Sequence, residues 1–241
     1  MVDQERRFFF LHVMRTGGTT FLWHLKANFG PDRVYPTASD NPETHESVTS
    51  VAYLRAVPRE RFDDFAVVTG HFPYFVLDEL PHRYETLTIL REPVARTLSF
   101  LHQWQRVPGR WQGQPIEVIY DEPLIIPHYQ NHMTKLYGLT ASSGAEHYAV
   151  DVDIDPDFLD RAKANLATID TIGFTENHDQ MLDQVEQRYG WRRPGVPDQH
   201  VTEKTELPES FIERIREDNA ADIEFYEYAR KMVAERNAGV A

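Results

Sequence analysis

The apolar positions of this chain fall into short runs that alternate with longer amphipathic stretches. Phe8 to Val13 is a run of the kind shown by a strand covered on both faces, as in the interior of a parallel sheet. Thr19 to Phe29 then carries a helical pattern that stops at Gly30-Pro31. Residues 31–46 are rich in Pro, Asp, Asn and Thr and predict a loop. Phe65 to Thr69 and Thr86 to Leu90 predict two more strands, closed by Gly70-His71 and by Arg91-Glu92-Pro93. Pro93 opens a helix whose stripe is Val94, Thr97, Leu98 and Leu101. Residues 106–127 mix Pro, Gly and aromatic side chains without a period and predict a loop-rich insertion, suited to a wall or lid. Asp155-Pro156 starts another helix, with Phe158, Ala162 and Leu166 on one face. Thr168 to Phe174 predicts a fourth strand. A helix over Glu176 to Tyr189 follows on the stripe Met181, Leu182, Val185 and Tyr189, ending at Gly190. Further helices run from Pro208 onward. Strands alternating with helices predict an α/β fold, a central parallel sheet flanked by helices on both faces. Ligands of such sheets bind at the carboxyl ends of the strands. A length of 241 residues suits one domain over 1–241.

Charge sharpens this picture. The formal net charge is −13, which argues against general nucleic-acid binding and its need for a basic footprint. An acidic chain that binds an anion must gather its few cations at one place, so the positions of Arg and Lys are informative. Cysteine is absent, which excludes disulfides and thiolate chemistry. No apolar stretch reaches the length of a membrane span. The apolar run near the N-terminus is short and leads into Arg15 without a small-residue cleavage site, unlike a signal peptide. A cytoplasmic location is the expectation.

Two segments carry candidate chemistry. In LHVMRTGGTTFLWHL a strand ends in Arg15, two glycines and two threonines before a helix begins. Gly17 and Gly18 permit a tight turn and close approach to a ligand, and the helix start presents N–H groups and a positive dipole end. Thr19 and Thr20 add hydroxyl donors, and Arg15 a fixed charge. A plain strand-to-helix turn with Thr19 as N-cap is the bland alternative. The pattern is not the nucleoside-triphosphate P-loop, for no Lys follows Gly18 and the first glycine is missing. The second segment, TILREPVARTLSFLHQW, repeats the theme with Arg91 at a strand end and Ser99 off the apolar stripe. A local cap for Arg91 and a surface serine at 99 are its bland reading.

As a pair the two segments strongly resemble the PAPS-dependent sulfotransferases, which use 3′-phosphoadenosine-5′-phosphosulfate as sulfuryl donor. The similarity is to the carbohydrate type, including heparan-sulfate 2-O- and 6-O-sulfotransferases and related bacterial enzymes. It extends through TGHFPYF, NHMTKLYG, IGFTENHDQML and DIEFYEYA, and so over most of the chain. The resemblance implies a P-loop-like fold forming a single sulfotransferase domain, and it needs no metal. It implies that Arg15, Thr16, Gly17, Gly18, Thr19 and Thr20 hold the phosphosulfate, and that Arg91 and Ser99 hold the 3′-phosphate. Phe174, in GFTE, would lie near the adenine, and Lys204 would reach the 3′-phosphate; a solvated surface lysine is the alternative there. The acceptor it implies is a hydroxyl of a carbohydrate, glycolipid or small molecule, in a bacterial cytoplasmic setting, with no nucleic acid and no membrane span.

One position departs from the family pattern: Met14-Arg15 stands where Pro-Lys is usual, and that Lys is regarded as catalytic. The leaving group is a weakly basic phosphate oxygen that needs charge stabilisation more than a proton, and Arg supplies it at every usable pH. Sulfuryl transfer to a hydroxyl also needs a base, and His71, in the family's GH-containing segment, is the candidate, with a near-neutral pKa expected. Two alternatives stay open, a PAP- or PAPS-binding protein that has lost catalysis and an atypical small-molecule kinase. His128 and His132, spaced four apart, read as helix surface or acceptor wall rather than a zinc site. Trp104, Trp111, Tyr120 and Tyr129 read as core packing, with stacking on an acceptor as the alternative.

Overall fold

The structure, a computed structural model, describes residues 6–40, 45–195 and 207–239. Its centre is a five-stranded parallel sheet made of β1 (Phe8–Leu11), β2 (Val34–Tyr35), β3 (Val67–Gly70), β4 (Glu85–Leu90) and β5 (Thr171–Phe174). The strands lie in the order β2-β3-β1-β4-β5, a P-loop-like arrangement with β1 in the middle. β1 pairs with β3 through Phe8↔Val67 to Leu11↔Gly70 and with β4 through Phe8↔Glu85 to Leu11↔Thr88. The carboxyl ends of all three strands therefore open on the same rim.

Period-two alternation along β1 divides the core. Phe8 and Phe10 face one side, where α1 (Gly18–Phe29) contributes Phe21, Leu25 and Phe29, and α9 (His178–Tyr189) contributes Met181, Leu182 and Val185. Phe9 and Leu11 face the other, against α3 (Val51–Arg55), α7 (His132–Gly138), α8 (Pro156–Ala167) and α11 (Ala220–Ala238). A third apolar cluster joins α4 (Pro93–Arg106), α5 (Ile116–Tyr120), α6 (Ile126–Tyr129) and α10 (Glu209–Asp218) beside the sheet. α2 (Glu46–Thr49) lies just before α3 in the chain. Burial of these aromatic and aliphatic faces is the main favourable term holding the layers together.

The sequence reading misses β2, a two-residue strand inside the stretch expected to be loop. It exists because Val34 and Tyr35 meet Val67 and Val68 across the sheet, a pairing that no local pattern announces. The expected insertion is only partly irregular. α4 runs through to Arg106, and α5 and α6 fold back onto it, so Tyr120 and Tyr129 are core residues stacked at 4.7 Å.

Asp222, wholly buried on α11, anchors a neighbouring helix. Its carboxylate accepts the N–H groups of Met133 (3.1 Å) and Thr134 (2.7 Å) and the Thr134 hydroxyl (2.9 Å), so it caps the start of α7 from outside that helix. That cap fixes the position of His132. No helix among the described residues is long and apolar enough to cross a membrane.

Candidate active site

The rim above β1 is shaped first by main chain. Arg15 and Gly17 both take left-handed backbone, φ 67° and 84°. Glycine carries this at little cost, whereas Arg15 does so under strain of order 1–3 kcal/mol, the kind that persists at functional loops. Thr16 is buried and its hydroxyl donates to the Val13 carbonyl at 2.8 Å, closing the turn. α1 begins at Gly18 with Gly17 as N-cap, so Thr19 is not the cap, and no side chain among the described residues caps the helix start. Its N–H groups and dipole are left for a ligand. Thr19 is exposed beside them and Thr20 half-buried.

Gly18 is required by contact rather than by torsion. A Cβ there would lie 2.1 Å from the His12 ring. Gly18→Ala should therefore destabilise the fold by about 1–3 kcal/mol through overpacking. At this chain length that is a melting point lower by roughly 2–4 °C per kcal/mol. Gly195→Ala, whose methyl meets nothing within 4 Å, is the control in a circular-dichroism melt. Equal melting points for the two variants would refute the packing account.

The second segment meets the first. Arg91 Nη1 donates to the Arg15 carbonyl at 3.1 Å, while Arg15 reaches across to α4. Arg15 donates to the Ser99 hydroxyl from Nε (3.2 Å) and Nη2 (3.1 Å), and to Gln103 Oε1 from Nη1 (2.9 Å). Ser99 is 8% exposed, so it is neither a surface residue nor remote from Arg15. The groups that the sequence reading assigns to two anionic groups lie side by side, joined through the Arg15 carbonyl and the Ser99 hydroxyl. The start of α4 is not open to an anion. Glu92 accepts the N–H groups of Val94 (3.0 Å) and Ala95 (2.7 Å), so the helix start is already filled by a carboxylate. What the second segment presents is the Arg91 guanidinium and the Ser99 hydroxyl.

These cations lie close enough to disturb one another. Burial lowers the pKa of Arg15, and the neighbouring Arg91 and Arg106 lower it further. Burial lowers Arg91 as well, opposed by Glu176 and Glu92. Beneath them Arg96 is wholly buried and its pKa is pushed down to about 10 by burial, partly offset by Asp222. It donates from Nη2 to the Tyr129 carbonyl. A chain of net charge −13 thus gathers four arginines around one loop. Such a cluster favours an anion.

His71 follows β3 directly, across the rim. Its Nδ1–H donates to the His12 carbonyl at 2.6 Å. A carbonyl only accepts, so Nδ1 carries the proton and Nε2 keeps its lone pair. The two imidazole rings lie 4.4 Å apart. Burial lowers the pKa of His71 to about 4, the hydrogen bond to His12 partly opposing it and His45 adding to it. This is well below the near-neutral value expected from sequence, and it leaves the ring neutral. A base with a depressed pKa contributes stability that is complete above pH 6.5 and lost as pH falls towards 4.

The wall facing His71 comes from farther along the chain. His132, wholly buried and not on a helix surface, accepts the Met14 N–H at Nε2 over 3.4 Å. Burial holds its pKa well below the usual histidine value. Tyr148 stands edge-on to His132 (4.8 Å), His128 (5.8 Å) and His71 (6.1 Å). Burial pushes its hydroxyl up to about 12, so it stays protonated. Sequence reading weighed His132 as helix surface or acceptor wall, and missed the part played by His12, Tyr148 and Glu92. Of these three only His12 left a signal, as the polar interruption of an apolar run. Phe174 ends β5, 7% exposed, with Tyr226 edge-on at 5.5 Å and Arg230 over its ring at 5.0 Å. Lys204 lies outside the described residues.

No family model matches the chain. It is 26% identical to heparan-sulfate 6-O-sulfotransferase 2 of Danio rerio over 291 aligned positions, which cover 94% of this chain and 58% of the relative. The chain thus spans little more than half of that protein's length. Among solved structures it resembles a sulfotransferase from Alicyclobacillus acidocaldarius, at 19% identity and a TM-score of 0.44, covering 91% of this chain and 96% of the other. The curated relative, matched along nearly the whole of this chain, supports placing it in a sulfotransferase family.

Proposed function

We propose that this chain is a PAPS-dependent sulfotransferase acting on a hydroxyl of a carbohydrate, glycolipid or small-molecule acceptor. The observation that carries the reading is the meeting of three features on one rim: an uncapped helix start behind Gly17-Gly18, the Arg15–Arg91–Ser99 cluster, and a neutral His71 with Nε2 free. The residues present fit a nucleotide with two anionic groups. Residues 15–20 would hold the phosphosulfate, and Arg91 and Ser99 the 3′-phosphate. The donor supplies a sulfuryl group whose bond to a phosphate oxygen breaks as the acceptor oxygen forms the new S–O bond. His71 Nε2 would take the proton of the acceptor hydroxyl. Arg15 would meet the negative charge that gathers on the departing phosphate, in a site where its field is little screened. Positioning and electrostatics suffice for this transfer, as in phosphoryl transfer. The relative's name supports a carbohydrate acceptor.

Calorimetric titration with 3′-phosphoadenosine 5′-phosphate (PAP), beside ADP and magnesium–ATP, tests the reading. PAP should bind at least tenfold more tightly than ADP without metal, a difference of about 1.4 kcal/mol. Magnesium–ATP binding as tightly as PAP would overturn the reading in favour of a kinase. Tight PAP binding without transfer to any hydroxyl would mark a binding protein.

A further inference from the structure

The strand-end dipeptide Thr175-Glu176 ties both anion loops together. The Thr175 hydroxyl donates to the Thr16 carbonyl at 2.8 Å and shares that proton with the Leu90 carbonyl at 3.2 Å, bridging the loop after β1 and the end of β4. Glu176 Oε1 accepts the Glu92 N–H at 3.0 Å, and Oε2 accepts the Tyr226 hydroxyl from α11 at 3.0 Å. Its carboxylate is exposed on the rim and acts electrostatically on Arg91. Glu92 already spends its own carboxylate on the start of α4. Glu176 is thus the acid beside Arg91 that no helix cap consumes.

We infer that Glu176 is a positioning residue that sets how much of the Arg91 charge an incoming phosphate meets, and so tunes selectivity for a 3′-phosphorylated nucleotide. This rests on the reading of Arg91 as holder of the 3′-phosphate. Glu176 has two opposed effects. Its hydrogen bonds hold the loop of Arg91 in place, which aids binding. Its charge partly cancels the guanidinium, which weakens attraction for a second anion. A carboxylate is therefore not the tightest-binding choice at 176, but one that lets the product leave.

Glu176→Gln separates the two effects. The amide oxygen accepts from Glu92, and the amide nitrogen donates to the Tyr226 oxygen, so the geometry is kept and only the charge goes. Titrated with PAP and with ADP at low salt, the variant should bind PAP about threefold more tightly and ADP unchanged, an effect of the size usual for an exposed charge. The gain should fade at high salt. Glu176→Ala, losing both hydrogen bonds, should weaken both nucleotides. A role confined to holding the loop predicts instead that Glu176→Gln leaves the PAP-to-ADP ratio as it was, and that result overturns the inference. Should the unaltered protein bind PAP no better than ADP, the reading of Arg91 falls and the inference with it. Preference in the unaltered protein with no change in the variant sinks only the role of Glu176.

Discussion

His71→Ala should lower the rate of sulfuryl transfer by about 10²–10⁴-fold, the usual contribution of a positioned base. PAP affinity should stay within about twofold, because His71 bonds to the His12 carbonyl and to no residue of the arginine cluster. A fall in affinity matching the fall in rate would remove His71 from the role of base. The pH profile gives an independent check. Only neutral His71 can accept a proton, so the rate is lost as pH falls through its pKa. In the ligand-free protein that value is about 4, set by burial. Donor anions bound nearby favour the protonated ring and raise it. The acid limb of kcat should therefore lie at higher pH than that of kcat/KM, which reports the free enzyme. Coincident limbs would show that the ring is not near the donor.

Arg15→Ala should cost about 10²–10³-fold in kcat, the scale for losing one donor to developing negative charge. Arg15→Lys should keep activity within about tenfold, since the charge survives while the two-pronged contact with Ser99 does not. The pair of variants distinguishes charge from shape. If Arg15→Ala turns over within about threefold of the unaltered protein, Arg15 is a structural link between the loop and α4. The strain of its left-handed backbone then has no catalytic explanation.

Much of the frame was readable from the chain because its signals are local. The FFFL run of β1, Pro93 after a strand and the Asp155 cap each act within a few residues of themselves. β2 was not readable, since two residues among Pro and Asp acquire strand geometry only from β3. The candidate site could be proposed as a list of residues but not as an arrangement. Arg15 and Ser99 are 84 positions apart, and Met14 and His132 are 118 apart. Nothing in either segment says that they touch. The depressed pKa of His71 was invisible for the same reason, because burial is a property of the packed whole.

The two halves of the rim are written in different materials. Around the loop after β1 the decisive features are main chain: left-handed torsions at Arg15 and Gly17, a helix start that no described side chain caps, and a carbonyl at position 12 that orients the His71 ring. The opposite wall is made of side chains, those of His128, His132 and Tyr148. Point substitutions can reshape such a wall, whereas a change in what the loop binds would require its backbone to be rebuilt. Under the proposed function, a scaffold of this kind can spread over many acceptors in the course of evolution while keeping a single donor.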